Sequence, residues 1–145
     1  MPLVSIDAAM HHLRADPDDQ VDVARKLAAA EIMAANYMGR DIFADSGALL
    51  TAHENAINDL NALVEAPASA TAYAHDAKQE YNRGVVARSY KTMRGIVIDP
   101  AIEAGILLIL GTLYEHREDV VAGDSVAELP IAATHRLQPY RIYGV

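Results

Sequence analysis

The sequence predicts an all-α fold: a small helical bundle with a long central apolar helix and an extended C-terminal tail. Three observations carry this. The run Asp99 to Tyr114 (DPAIEAGILLILGTLY) is apolar on nearly every side behind a helix-start signal. Residues 18–38 show helical spacing of apolar side chains closed by Gly39, and residues 49–82 are Ala-rich and helix-prone.

The elements follow in order. Ser5 is suited to cap a short helix through Leu13, ended by Asp16-Pro17-Asp18-Asp19, because a proline pushes its predecessor out of helical space. The next helix, about Asp18 to Met38, carries Val21, Ala24, Leu27, Ala28, Glu31, Ala34 and Met38 on its expected stripe, with acids in its first turn and Gly39 as its stop. A helical hairpin is expected from about Leu49 to Glu65 and Ser69 to Asn82, broken at Pro67. Arg83 to Ile98 reads two ways. The β-branched Val85, Val86, Ile96, Val97 and Ile98 suit a strand, whereas the Arg88, Lys91, Arg94 spacing suits one helix face; helix to about Met93 and an extended Gly95–Ile98 is the expectation.

Asp99 is placed to cap the following helix, with Pro100 at its first position, where a missing N–H costs nothing. Ile102, Ile106, Ile109, Leu110 and Leu113 form one stripe, yet Ala104, Leu107 and Leu108 lie off it and are apolar too. Glu103 interrupts the segment and it is shorter than the ~18 to 20 residues of a membrane span. Burial on several sides remains, inside the subunit or against another copy.

Composition bounds function. In 145 residues, hydrophobic side chains make up 52% and charged ones 22%, which argues for one folded domain rather than disorder. With no cysteine there is no disulfide, thiol catalysis or Cys-based zinc site, and Met1 to Arg14 lacks the pattern of a signal peptide. A net charge of −8 disfavours ordinary nucleic-acid binding, in which Lys and Arg replace phosphate counterions.

No catalytic, cofactor or metal site is expected. His11 and His12 are adjacent, so on a helix they point about 100° apart and cannot close on one ion as an i, i+4 pair does. His53, His75, His116 and His135 are scattered, and neither a Walker loop, a G-x-S-x-G nor a G-x-G-x-x-G is present. The carboxylate groups Asp18, Asp19, Asp22 and Glu115, Glu118, Asp119 read as helix caps, ion-pair partners of Arg117 or solvated charge. From Lys78 to Arg94 the five cations Lys78, Arg83, Arg88, Lys91 and Arg94 meet only Glu80, a net of +4, while residues 1–65 carry four basic against eleven acidic groups, a net of −7. Two readings stay open: a solvated face, or a basic strip of one subunit set against the acidic part of its neighbour.

The order of features in the last third carries a resemblance. After the apolar helix come the charged exit EHRED, the ELP of Glu128 to Pro130 and the PYR of Pro139 to Arg141. With Ala104 to Leu110, Tyr114, Glu115, Arg117, Glu118, Val120, Val121, Gly123, Leu129, Leu137 and Tyr140, this resembles the head-to-tail connector (adaptor) proteins of long-tailed double-stranded DNA bacteriophages. The N-terminal part is similar too: Ala9 to Arg14 stands where the family has an "eAkxHLR" stretch, and Tyr37, Gly39 and Arg40 where it has "Y-x-G-R". The likeness covers about 1–40 and 94–143.

The resemblance implies a single connector domain, 1–145, with a variable helical insert at about 41–95 and a docking tail at about 129–145. It implies a structural, non-enzymatic virion protein with no cofactor, forming a homo-oligomeric ring, typically twelvefold, in the neck between capsid and tail, after assembly in the host cytoplasm. Its partners would be further copies of itself, the portal protein and the stopper or tail-completion proteins; double-stranded DNA would pass its lumen without specific binding, and no membrane is involved. Subunit contacts would draw on Arg88, Lys91, Arg94, Leu107, Leu108, Tyr114, Glu115, Arg117 and Glu118. Portal docking would draw on Leu129, Pro130, Leu137, Pro139, Tyr140, Arg141 and Tyr143, in a tail expected to be loosely held in the free subunit. The alternatives are a small helical regulatory or binding module acting as monomer or dimer, and a small hydrolase or metal enzyme.

Overall fold

The computed structural model describes residues 2–65, 72–115 and 129–143, and 79% of these are helical, so the mostly helical expectation holds. The chain divides into two compact units, one of Met1–Gly39 with Ile98–Val145 and one of Arg40–Val97.

The first unit contains α1 (Ile6–Leu13), a 3-10 turn (Pro17–Asp19), α2 (Gln20–Met38), α5 (Pro100–Glu115), α6 (Ile131–Leu137) and a second 3-10 turn (Gln138–Tyr140). The Ser5 hydroxyl accepts the Ala8 N–H at 3.1 Å, the cap its sequence position foretold. The chain leaves α1 through Arg14, whose φ of 52° lies in the left-handed region. Glu31 of α2 accepts the N–H groups of Leu3 and Val4 at 2.7 and 3.0 Å, tying the chain start to that helix. Gly39 ends α2 with φ 69°, donating to the carbonyls of Ala35 and Asn36.

The buried face of α2 is Val23, Leu27, Ala30, Ala34 and Met38, packed chiefly on α5. This corrects the expected stripe: Val21, Ala24 and Ala28 are exposed. Alanine on every side of α2 leaves little contrast between faces, so the partner helix selects the inward one. On α5, Ile102, Ile106, Ile109 and Leu110 are fully buried, each contributing about 1.5–3 kcal/mol relative to exposure. Gly105 lets Leu137 of α6 approach the α5 backbone, and a Cβ there would lie 2.8 Å from Leu137 Cδ2.

The second unit contains β1 (Ile42–Phe43), α3 (Ser46–Glu65), α4 (Ala72–Met93) and β2 (Ile96–Val97). An Asp45 carboxylate oxygen accepts the Ala48 N–H at 2.8 Å and so caps α3. The strands pair in parallel, Ile42 with Ile96 and Phe43 with Val97. A Cβ on Gly95 would collide with the Phe43 ring, so glycine is required where the chain turns from α4 into β2. Helices α3 and α4 form an antiparallel hairpin: Leu49, in the first turn of α3, reaches Gly95 just past the end of α4, and Ala52 and Ala56 lie opposite Ser89 and Thr92. Its seam is thin. Among the described residues, Ala56, Val85 and Ser89 are the ones buried there, and the nine largest fully buried side chains described all belong to the first unit.

Candidate functional site

Among the described residues no group of three or more His, Asp and Glu side chains is placed to hold a metal ion, and no helix is long and apolar enough to cross a membrane. Side chains of the first unit do meet at a junction between its two chain segments.

That junction begins at Asp99. One carboxylate oxygen accepts the N–H groups of Ala101 and Ile102 at 2.9 and 2.8 Å, capping α5 as the sequence predicts, and the other accepts the Tyr140 hydroxyl at 2.6 Å. Partial burial by itself would raise the Asp99 carboxyl, but the hydrogen bonds from Tyr140, Ile102 and Ala101 outweigh it and hold the group below its ordinary value. The same bond, with desolvation and the Asp99 charge, pushes the Tyr140 hydroxyl up. One residue further on, the Arg141 guanidinium lies 4.9 Å from the Tyr37 ring centre and 5.0 Å from that of Tyr143. The Ile142 N–H then donates to the Met38 carbonyl at 2.9 Å, and a Cβ on Gly39 would stand 3.3 Å from the Ile142 carbonyl oxygen.

The expected docking residues divide accordingly. Leu137 is fully buried and belongs to the core, which corrects its assignment to a docking surface. Residues 131–140 are helical rather than extended, and the tail is fastened rather than loose, because Leu137 fills the gap left by Gly105 and Tyr140, Arg141 and Ile142 each find a fixed partner. Leu129 and Pro130 are half-buried, Pro139 and Arg141 are exposed, and Tyr143 is 67% exposed, leaving it available to a partner.

The expected subunit-contact residues are dispersed. Leu107 and Leu108 are half-buried on α5. Tyr114 donates to Asp19 at 2.6 Å and lies 5.5 Å from the Lys26 ammonium, so much of its side chain is used within the subunit. Glu115 is exposed, and Arg117 and Glu118 lie outside the described residues. Arg88 on α4 and Arg94 just past its end are exposed, whereas Lys91 sits 3.5 Å from Asp41, whose other oxygen accepts the Thr92 hydroxyl at 2.8 Å. Arg40 donates to the Arg94 carbonyl at 2.5 Å, and burial lowers the Arg40 guanidinium somewhat.

Sequence reasoning passed over Leu50, Ile57 and Val64, which are 62, 46 and 87% exposed on α3. Their period of seven residues was the available signal. On α4 a depression of about 530 Å³ is lined by Gln79, Asn82, Arg83, Val86 and Ala87.

Neither protein-family models, nor curated proteins, nor solved structures give a match to this chain.

Proposed function

We propose that this protein is a structural component of a phage neck, a connector that forms a homo-oligomeric ring beneath the portal and offers the platform for stopper and tail-completion proteins. The observation that supports the reading is the junction itself. The two stretches that carry the resemblance, 1–40 and 94–143, are remote in sequence, yet Tyr37, Met38 and Gly39 of the first touch Arg141 and Ile142 of the second. The divergent middle forms a compact unit of its own, Arg40–Val97. A shared core with a variable appendage is how a common docking role accommodates different neighbours.

The charge is consistent with this role. A ring around a DNA passage works best when it does not hold the duplex, and a chain of net charge −8 repels phosphate. The reading is non-enzymatic, places the protein in the virion neck and needs no cofactor or membrane.

Mixing the purified chain with DNA-filled, portal-bearing, tailless heads tests it. The expected result is co-sedimentation with the heads and a ring of added density under the portal by electron microscopy. Failure to bind such heads over a wide concentration range, with no density added, overturns it.

A further inference from the structure

Two helical faces of this chain are apolar and exposed, and they differ in a way that makes them complements. The first lies on the hairpin of the second unit. On α3 the residues facing α4 centre on Ala56, and Leu50, Ile57 and Val64 lie about 100° clockwise from that line by the 100° advance per residue. On α4 the facing line passes through Val85, and Val86 and Met93 lie about 80–100° round from it in the same sense, with Tyr90 beyond. In an antiparallel pair, equal rotation in that sense brings both flanks to the same side. Leu50, Ile57 and Val64 therefore share one broad face with Val86, Tyr90 and Met93. The opposite flank is polar, with Asn55, Asp59 and Arg88 around a depression of about 210 Å³.

The second face is the outer side of α2, where Val21, Ala24, Ala28 and Ile32 fall at i, i+3, i+7 and i+11 and all are exposed, Val21 at 74% and Ile32 at 61%. It is one helix wide, with Ala24 and Ala28 in its middle and the larger Val21 and Ile32 at its ends.

We propose that the hairpin face of one copy packs on the α2 outer face of a second copy, so that self-association is head-to-tail. Three arguments commit it to this occupant. A single helix whose middle is lined by Ala24 and Ala28 can approach two helices closely enough to seat in the groove between them. The lengths agree, because 19 residues of α2 and 20 of α3 span about 28 and 30 Å. A contact about 30 Å long and one helix wide, roughly 10–12 Å, covers on the order of 300–400 Å² per partner, the scale of a weak, concentration-dependent association.

Charge agrees as well. Arg94, just past the end of α4, borders the hairpin face, and the exposed Asp16 and Asp18 precede α2, whereas Asp22 is paired with Lys26 at 3.1 Å and Arg83 with Glu80 at 3.7 Å within the chain. Opposite signs along the rims of two apolar strips fix orientation more than they add affinity. A two-fold pairing of hairpin with hairpin would leave the α2 stripe uncovered. The thin hairpin seam also gives the second unit reason to gain from a cover. The proposal deepens the ring-forming reading, since a heterologous contact is the kind that closes into rings, but it concerns the chain alone and does not require a portal.

The experiment is a complementation of two full-length variants. Ile57→Asp with Met93→Asp disables the hairpin face, and Ala28→Asp with Ile32→Asp disables the α2 face; all four positions are exposed, and circular dichroism checks that helicity is kept. By sedimentation equilibrium, the wild type is expected to associate progressively with concentration and each variant to be at least tenfold weaker. Mixed in equal amounts, the variants are expected to form a 1:1 dimer that grows no further, because one intact copy of each face remains. Self-association of the α2 variant at wild-type strength identifies a hairpin-to-hairpin contact and overturns the proposal, as does a mixture that stays monomeric. A 1:1 dimer together with failure to bind portal-bearing heads leaves this interface standing and removes the neck reading instead.

Discussion

The Tyr140 hydroxyl lies 2.6 Å from the carboxylate of Asp99, the residue that caps α5. One ionised group thus serves two ends: its first oxygen starts a helix and its second holds the chain after α6. Removing the hydroxyl by Tyr140→Phe leaves the cap in place and deletes one charge-assisted hydrogen bond, worth about 1–2 kcal/mol after allowing for its part-exposed setting.

The bond has a pH window with two edges. The Asp99 carboxyl is depressed on folding, so its contribution is full above the unfolded carboxylate value, about 3.9, and is lost as the pH falls through the lower folded value. The Tyr140 hydroxyl is raised, so its contribution is full below the unfolded value of about 10 and is lost as the pH rises through the higher folded one. The difference in melting temperature between wild type and Tyr140→Phe should be constant from about pH 5 to 9 and shrink beyond each edge. A difference that ignores acid places the hydroxyl's partner elsewhere.

Leu137 and Gly105 set the second prediction. Leu137→Ala removes a fully buried side chain from the α5–α6 contact and should cost about 2–4 kcal/mol, a clear fall in melting temperature. Deleting Pro139–Val145 removes the Tyr140, Arg141 and Ile142 contacts together, so it should lower the melting temperature by more than Tyr140→Phe does. An unchanged melting temperature in the truncated chain would return this segment to the loosely held tail that its composition suggested.

How much of this was legible beforehand follows from how local each cause is. Ser5, Gly39 and Asp99 act on backbone groups within a few residues of themselves, so the ends of α1, α2 and the start of α5 could be read directly. The helix running to Met93 and the extended stretch after it match the favoured of the two readings of 83–98, but the need for glycine at 95 comes from the Phe43 ring, 52 residues earlier. The inward face of α2 was not, because alanines at 24, 28, 29, 30 and 34 give no contrast until α5 chooses between them. Nor was the burial of Leu137, which depends on a missing side chain at Gly105, 32 residues earlier. At the candidate site the separate motifs were visible, but their meeting at Tyr37, Arg141 and Ile142 is a tertiary fact.

Arg14 sits at φ 52°, the described non-glycine residue with positive φ, at the lip of a cleft of about 630 Å³ lined also by Asp7, Met10, His11 and Gln20. Left-handed backbone costs a residue with a Cβ on the order of 1 kcal/mol relative to glycine. Arg14→Gly should therefore stabilise the protein by up to about 1 kcal/mol in chemical denaturation, offset in part by the greater freedom of the unfolded glycine chain. A loss of stability would mean that the Arg14 side chain contributes more than its backbone strain costs.

The basic strip on α4 gives the last prediction, and the structure sharpens which residues can test it. Lys91 lies 3.5 Å from Asp41, which also accepts the Thr92 hydroxyl, so Lys91→Glu would set two carboxylates together and disturb the second unit itself. Arg88 and Arg94 are exposed, and reversing them leaves the Asp41 cluster intact. If the strip meets the acidic N-terminal region of a neighbouring subunit, Arg88→Glu with Arg94→Glu should weaken assembly at least tenfold while the far-ultraviolet spectrum stays unchanged. Salt should act in the same direction on the wild type, since charges at an exposed rim are screened over about 10 Å at 0.1 M. In the double variant that salt dependence should fall away, because the attraction being screened is gone. Light scattering between about 0.05 and 0.5 M salt, over which the screening length falls from about 14 to about 4 Å, separates the outcomes. Equal assembly of wild type and variant at every salt concentration would make the strip a solvated face, with register set by the apolar contacts alone.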